Sequence, residues 1–247
     1  MTFLFFVEYF FVWYFSRFLI FASVVYFFFW LRPNGYTAKY RIQNTDFTPH
    51  ELKRDFLLSI LSCIVFGLCL ASVSMLRSEQ VYNYIQLSNF GFNAFNIKIP
   101  LNIFCGWFLF LVILHETYFY WLHRLLHLPF FYKKIHKVHH YTKNPNPFTT
   151  QTFHPLEAVM GILWVVLATA FLNIPMSVWV YYSVFNAALN VLGHCGLDFF
   201  PANWETHPIL KYVNRPTMHN HHHKYNNGNY GFYFTFWDRW MGTYKPN

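Results

Sequence analysis

Charge is scarce in this chain. Only 11% of its 247 residues are Asp, Glu, Lys or Arg, against roughly a quarter in an ordinary soluble domain, and that shortage excludes a water-soluble globule. Cysteine is scarce too: Cys63, Cys69, Cys105 and Cys195 form no C-x-x-C pair, and the first three sit in apolar runs. Neither a disulfide framework nor an iron–sulfur site is indicated. A Gly-rich dinucleotide fingerprint is missing, and so is the H-E-x-x-H pattern of hydrolytic zinc enzymes. No repeat, low-complexity linker or break in composition divides residues 1–247, so a single membrane-embedded domain is expected.

Apolar and aromatic side chains are what the chain has instead, 55% and 24% of it. Phe3–Trp30 holds sixteen aromatics and two charges, Glu8 and Arg17, and exceeds the ~20 residues that cross a bilayer. With no basic start and no small-residue cleavage site, it reads as a retained anchor or first transmembrane helix, not a removable signal. Phe56–Leu76 and Ile99–Leu114 are further spans, the latter continuing through Tyr118–Leu122. Leu156–Leu192 carries no charge after Glu157 and is punctuated by Asn173 and Pro175, which predicts a hairpin of two helices that enters and leaves the bilayer on one side. One long span would split the histidines described below between the two sides.

Short cytoplasmic loops carry the excess of Lys and Arg. Arg32–Asp55, His123–Pro155 and the tail after Leu192 each hold five, whereas the Arg77–Lys98 loop holds only its two ends. The expected orientation puts the N-terminus and the Arg77–Lys98 loop outside and the histidine-rich stretches in the cytoplasm. A net charge of +8 raises nucleic acid as a partner, but these cations flank membrane spans, where anionic headgroups account for them and no nucleic acid is expected.

Eight of the fourteen histidines fall into three clusters: His123 and His127; His136, His139 and His140; His219, His222 and His223. Imidazole is the commonest neutral nitrogen ligand of transition metals, and side chains four apart on a helix lie about 5–6 Å apart on one face. Eight ligands exceed the four of one tetrahedral ion, so two ions in one cage are expected, held by three short helical segments that converge at the membrane surface. An all-imidazole cage around two cations calls for acids that accept the second N–H of its ligands. Glu116, Glu157, Asp198 and Asp238 lie near a cluster or His194 in sequence, and Glu116, set in an apolar span, is the strongest. Redox-active iron suits so histidine-rich a site better than hydrolytic zinc, although zinc is able to replace it in purified protein.

The three clusters, with Tyr120-Trp121-Leu122-His123-Arg124 before the first and Asn229-Tyr230-Gly231 and Trp237-Asp238-Arg239 after the last, resemble the fatty acid hydroxylase/sterol desaturase superfamily over about 114–244. That resemblance implies an all-α integral membrane protein, with about four transmembrane helices or helical hairpin elements beneath a cytoplasmic histidine-rich helical cap. It further implies a di-iron oxidoreductase that uses O₂ to hydroxylate or desaturate a membrane lipid such as a sterol or fatty acyl chain. It adds His194 to the ligands. His154 matches a family position as a ligand or a hydrogen-bond partner of one. Asn190 stands where some relatives have histidine and reads as a weaker ligand, a water-bridged position or a packing amide. His207 reads as a surface residue or a partner of a ligand. His221 points to solvent or to a partner of a ligand, His50 to the surface, and His115 to a buried hydrogen bond near the substrate path.

Electrons must come from outside, since the chain carries no reductase module; a small cytochrome or ferredoxin with its reductase is the expected partner. The competing function is a histidine-rich metal transporter or metal-binding membrane protein. Transport sites lie near the bilayer midplane, whereas these clusters flank the spans on one side. A catalytically silent relative with a structural metal site is the third reading.

Overall fold

The structure is a computed structural model and describes residues 2–31, 37–77 and 99–246. Arg32 and the segment between Arg77 and Ile99, with the expectations placed on them, lie outside the described residues. Eight α-helices are described: α1 (Phe3–Phe29), α2 (Pro49–Leu76), α3 (Leu101–Leu126), α4 (Pro129–Lys134), α5 (Pro155–Phe171), α6 (Met176–Gly193), α7 (Pro216–Tyr225) and α8 (Phe236–Trp240). No strand forms among the described residues; only the isolated bridges Arg41–Leu197 and Val213–Phe234 join extended segments.

Three helices, α1, α2 and α3, are long and apolar enough to cross a membrane. Local chemistry sets where they start. Thr2 accepts a hydrogen bond from Phe5 N at the head of α1. At the head of α2, Thr48 and Glu51 cap each other's backbone N–H and Pro49 takes the first position, where its missing N–H costs nothing. Ile20, Leu76, Leu101 and Leu109 stay exposed along these helices, as expected of side chains with hydrocarbon for solvent.

The stretch from Leu156 to Leu192 is a helical hairpin, α5 and α6, interrupted at Leu172–Pro175. Arg77 clamps its tip to the end of α2, with Nη1 on Asn173 Oδ1 and Nη2 on the Ala170 carbonyl. At 17 residues, α5 is roughly 26 Å long, short of the ~30 Å hydrocarbon core. Its first turn supplies Glu157 to His136, and α6 ends at His194 beside His219. Both ends of the hairpin therefore reach the same place.

α2, α3, α5 and α6 enclose one apolar core around Phe66, Leu70, Leu111, Ile162, Trp164 and Val178, and α1 lies along α2. The C-terminal ends of α1, α3 and α6 and the N-terminal ends of α2 and α5 meet at one end of this bundle. Trp30 donates to the Cys195 carbonyl there. α4, α7, α8 and the segments between them cover that end as a polar cap.

Candidate metal centre

Nine histidines converge in the cap as two abutting groups. His123, His127, His136, His140 and His222 form one; His139, His194, His219 and His223 form the other, with the candidate ligand atoms of each group within 4.8 Å of one another. The rings of His140 and His223 join them, centroids 4.6 Å apart. His123 and His127 extend from the last turn of α3. The second cluster rides on a tight 3₁₀ turn, His136–Tyr141, rather than the α-helical segment that its spacing suggested. The third lies on α7, which starts at Pro216 and stops at Asn226 in the left-handed region, φ 55°.

Tautomers follow from the outward hydrogen bonds. Nδ1 of His123, His194, His222 and His223 faces the carbonyls of Tyr230 (2.9 Å), Asn190 (2.8 Å), Gly228 (2.7 Å) and Thr142 (3.1 Å). A carbonyl only accepts, so each Nδ1 carries the proton and each Nε2 presents a lone pair inward. His136 is held alike by Glu157, 2.7 Å from its Nδ1. His194 and His223 then both aim lone pairs at His219 Nε2, at 2.9 and 3.2 Å. His136 and His222 both aim theirs at His140 Nε2, at 3.1 and 3.2 Å. One proton at each centre satisfies at most one neighbour, and the buried Nε2 of His123 meets no donor at all.

Converging lone pairs with too few protons are a site for cations. The Nε2–Nε2 separations equal the roughly 3.0–3.4 Å edge of an octahedron or tetrahedron of nitrogens about 2.1 Å from an ion. Burial first, and then the neighbouring imidazoles, hold protonation of His136, His139, His140, His219, His222 and His223 well below the ordinary histidine range, which keeps them in the neutral, ligating form.

Of the acids, Glu157 meets an imidazole, and Glu116, Asp198 and Asp238 do not. Glu116 accepts the backbone N–H of Phe232, Tyr233 (2.6 Å) and Phe234. Asp238 accepts those of Tyr230 (2.9 Å) and Gly231 (2.8 Å). Together they clamp, from both sides, the loop whose Tyr230 carbonyl orients His123. A Cβ on Gly231 would strike the Phe234 carbonyl and crowd both carboxylates, so only glycine fits. Asp198 binds Arg215 (2.7 Å) and Thr217, securing the start of α7. These three thus differ from the expectation that acids would accept from ligand imidazoles: Glu116 and Asp238 satisfy the amides of the turn that presents His123, and Asp198 binds the Arg215 guanidinium and Thr217 at the head of α7.

His154 caps α5, accepting from Leu156 N at 3.2 Å, and His207 accepts from Ile209 N and Leu210 N; neither joins the groups. Asn190 donates to the Thr150 carbonyl and lines the cavity beneath the histidines. His115 is buried 3.0 Å from the Tyr233 hydroxyl and stacked on Trp164. His50 is exposed and His221 half-buried.

One residue escaped the sequence reading. Asp55, 1% exposed in α2, accepts from Thr142 Oγ1 (2.9 Å), Asn146 Nδ2 (2.8 Å), Thr149 Oγ1 (2.8 Å) and Arg54. The Thr142 carbonyl orients His223, and Thr149 supports Thr152, whose hydroxyl meets His139 Nδ1. A lone acid at the head of an apolar helix carries no periodic signal; its one cue is that Phe56–Leu76 begins directly after it.

Beneath the histidines opens an apolar cavity walled by Phe119, Leu122, Phe153, Gly161 and Phe232. It shares Phe119, Phe153, Gly161, Asn190 and Phe232 with a second cavity of about 110 Å³ that descends between α1, α5 and α6. The arrangement is a membrane-helix bundle that places two imidazole groups over adjoining, largely apolar cavities.

The chain belongs to the fatty acid hydroxylase family, whose model matches residues 108–243. It is 30% identical to human lathosterol oxidase over 190 residues, 76% of this chain and 56% of that protein. A Delta(7)-sterol 5(6)-desaturase of Leptosphaeria maculans is 37% identical over 142 residues, 56% of this chain and 37% of its own. A rice very-long-chain aldehyde decarbonylase is 26% identical over 217 residues, 85% and 76% of the two chains. The chain spans about half the length of the first two or three curated relatives it matches. No solved structure matches it significantly.

Proposed function

We propose that this protein is an O₂-dependent di-iron oxidoreductase that hydroxylates or desaturates a membrane lipid. The observation that carries the reading is the pair of abutting, buried imidazole groups of five and four histidines set directly over an apolar channel. His123, His127, His136, His140 and His222 would hold one iron and His139, His194, His219 and His223 the other. Two irons supply the O₂ reduction that an unactivated C–H bond requires; no side chain of a protein does this alone.

The residues do the rest. Carbonyls of Tyr230, Asn190, Gly228 and Thr142 fix the imidazole rings in their ligating tautomer. Phe119, Phe153 and Phe232 keep the reacting carbon dry and guide an alkyl or ring system toward the histidines. The relatives named for sterol oxidation and desaturation, and the one named for a long-chain aldehyde, support an elongated apolar substrate. Hydroxylation consumes O₂, two electrons and two protons and yields one hydroxyl and one water; desaturation consumes the same and yields a double bond and two waters.

The electrons come from a separate protein, a small haem or iron–sulfur carrier with its reductase. Exposed Lys133, Lys134 and Lys137 flank the His136 turn and suit an acidic donor. The excess of Lys and Arg at the histidine end supports a cytoplasmic cap. The whole chain forms one functional domain.

Metal content and iron spectroscopy of protein purified from iron-supplemented cells, without chelators or tag histidines, test the reading. Two irons per chain, reduced and then reoxidised by O₂, are expected. One ion or none in folded protein overturns the paired site.

A further inference from the structure

α1 carries two charges inside its apolar run, and they are treated differently. Glu8 is exposed, whereas Arg17, the fifteenth of 27 helical residues, is 8% exposed. Its Nε donates to the Trp13 carbonyl (2.9 Å) and Nη1 to the Ser183 carbonyl of α6 (2.6 Å). The rings of Tyr14 and Trp13 lie 4.4 and 4.9 Å from its central carbon. Every one of these partners is neutral. Among the described residues no carboxylate pairs with Arg17.

A guanidinium does not deprotonate in proteins, so a full positive charge stays in the low-dielectric bundle without a counter-charge. Such burial is costly, and within a span it marks function by default. A staple between α1 and α6 would explain only the hydrogen bond to Ser183, and a glutamine would make that one without stranding a charge.

Arg17 is also placed at a site. With Ser183, Trp179, Tyr182, Asn186 and Asn190 it lines the deeper cavity, which adjoins the one under the histidines and shares Asn190, Phe119 and Phe232 with it as walls. Ser183, Asn186 and Asn190 share one face of α6 and, with Tyr14, His115 and Tyr182, make part of the cavity wall polar. Eleven residues separate Ser183 from His194, roughly 16 Å along the helix axis.

We infer that Arg17 binds an oxygen-bearing end of the lipid, a carboxylate in preference to a hydroxyl, and so sets which carbon is presented to the histidines roughly 16 Å away. This deepens the lipid-oxidase reading and rests on it for the nature of the occupant. The occupant supplies the missing counter-charge to the guanidinium, in a charge-assisted hydrogen bond of the strong class.

Binding, which needs neither electrons nor turnover, tests it. The full chain in detergent, with its metal content measured in parallel, is titrated with labelled palmitate in competition with 1-hexadecanol and hexadecane. Wild type is expected to rank them in that order, and Arg17→Gln to lower palmitate affinity about tenfold or more, to the level of the alcohol, with metal content unchanged. Equal affinity for the three in wild type, or an unchanged ranking in folded Arg17→Gln with only a lower melting temperature, overturns the inference and leaves a helix staple. Where Arg17→Gln does not fold, wild type decides: a palmitate with a photoreactive group beside its carboxylate is expected to mark α1 or Ser183, and marking of the histidine end instead overturns it. Two redox-active irons in a chain that shows no such preference would sink this inference and spare the proposed function; specific palmitate binding in a metal-free chain would do the reverse.

Discussion

The two histidine groups sit side by side but are supported in different ways. The group of five draws its orientation from the C-terminal turn and the hairpin: Tyr230 and Gly228 carbonyls, and the carboxylate of Glu157 directly on His136. Glu116 and Asp238 stand behind that turn. The group of four has only neutral contacts, Thr152, Asn190 and Thr142, and its nearest organising acid, Asp55, acts one hydrogen bond further out and comes from α2, outside the family's matched region 108–243. Negative charge close to a cation strengthens its binding, so in the proposed two-iron reading the group of four would hold its ion less tightly and depend more on the whole bundle.

Substitutions in the two groups separate them. His222→Ala and His219→Ala should have the largest effect, each lowering metal from two ions per chain to one and abolishing lipid oxidation; normal metal and turnover in both would dissolve the cage. Asp55→Asn should follow, weakening only the group of four by roughly 10–100-fold in metal affinity, read by metal titration of the folded protein. Equal weakening of both sites would mean that Asp55 supports the cap as a whole. Glu116→Gln, which replaces a buried carboxylate bound to several amides by a neutral acceptor, should cost about 1.5–3 kcal/mol in thermal unfolding and loosen the group of five first. If it strips the group of four instead, the division between the supports is wrong. His154→Ala, which removes a helix cap, should cost about 1 kcal/mol with both metals retained, and His50→Ala should change nothing measurable in either assay.

Side chains that depend on periodicity or local chemistry were legible early. The interruption at Asn173 and Pro175 foretold the hairpin because Pro lacks an N–H and disfavours a helical residue before it. Spacing of three and four brought His219, His222 and His223 to one face of α7. The acids were harder: proximity in sequence nominated Glu116, Asp198 and Asp238 as partners of imidazoles, and folding sent Glu116 and Asp238 to backbone amides of a turn and Asp198 to the Arg215 guanidinium and Thr217.

By itself the sequence determined that the chain is a helical membrane protein with eight histidines clustered for one centre, since hydropathy and ligand spacing are properties of neighbours along the chain, and the family resemblance added His194. Only the tertiary structure decided how those nine divide into five and four, which acid touches an imidazole, and that Asp55 and Arg17 face inward. These depend on which helices pack together, and a buried charge reveals its role only through the partners that packing brings, or fails to bring, within hydrogen-bonding distance.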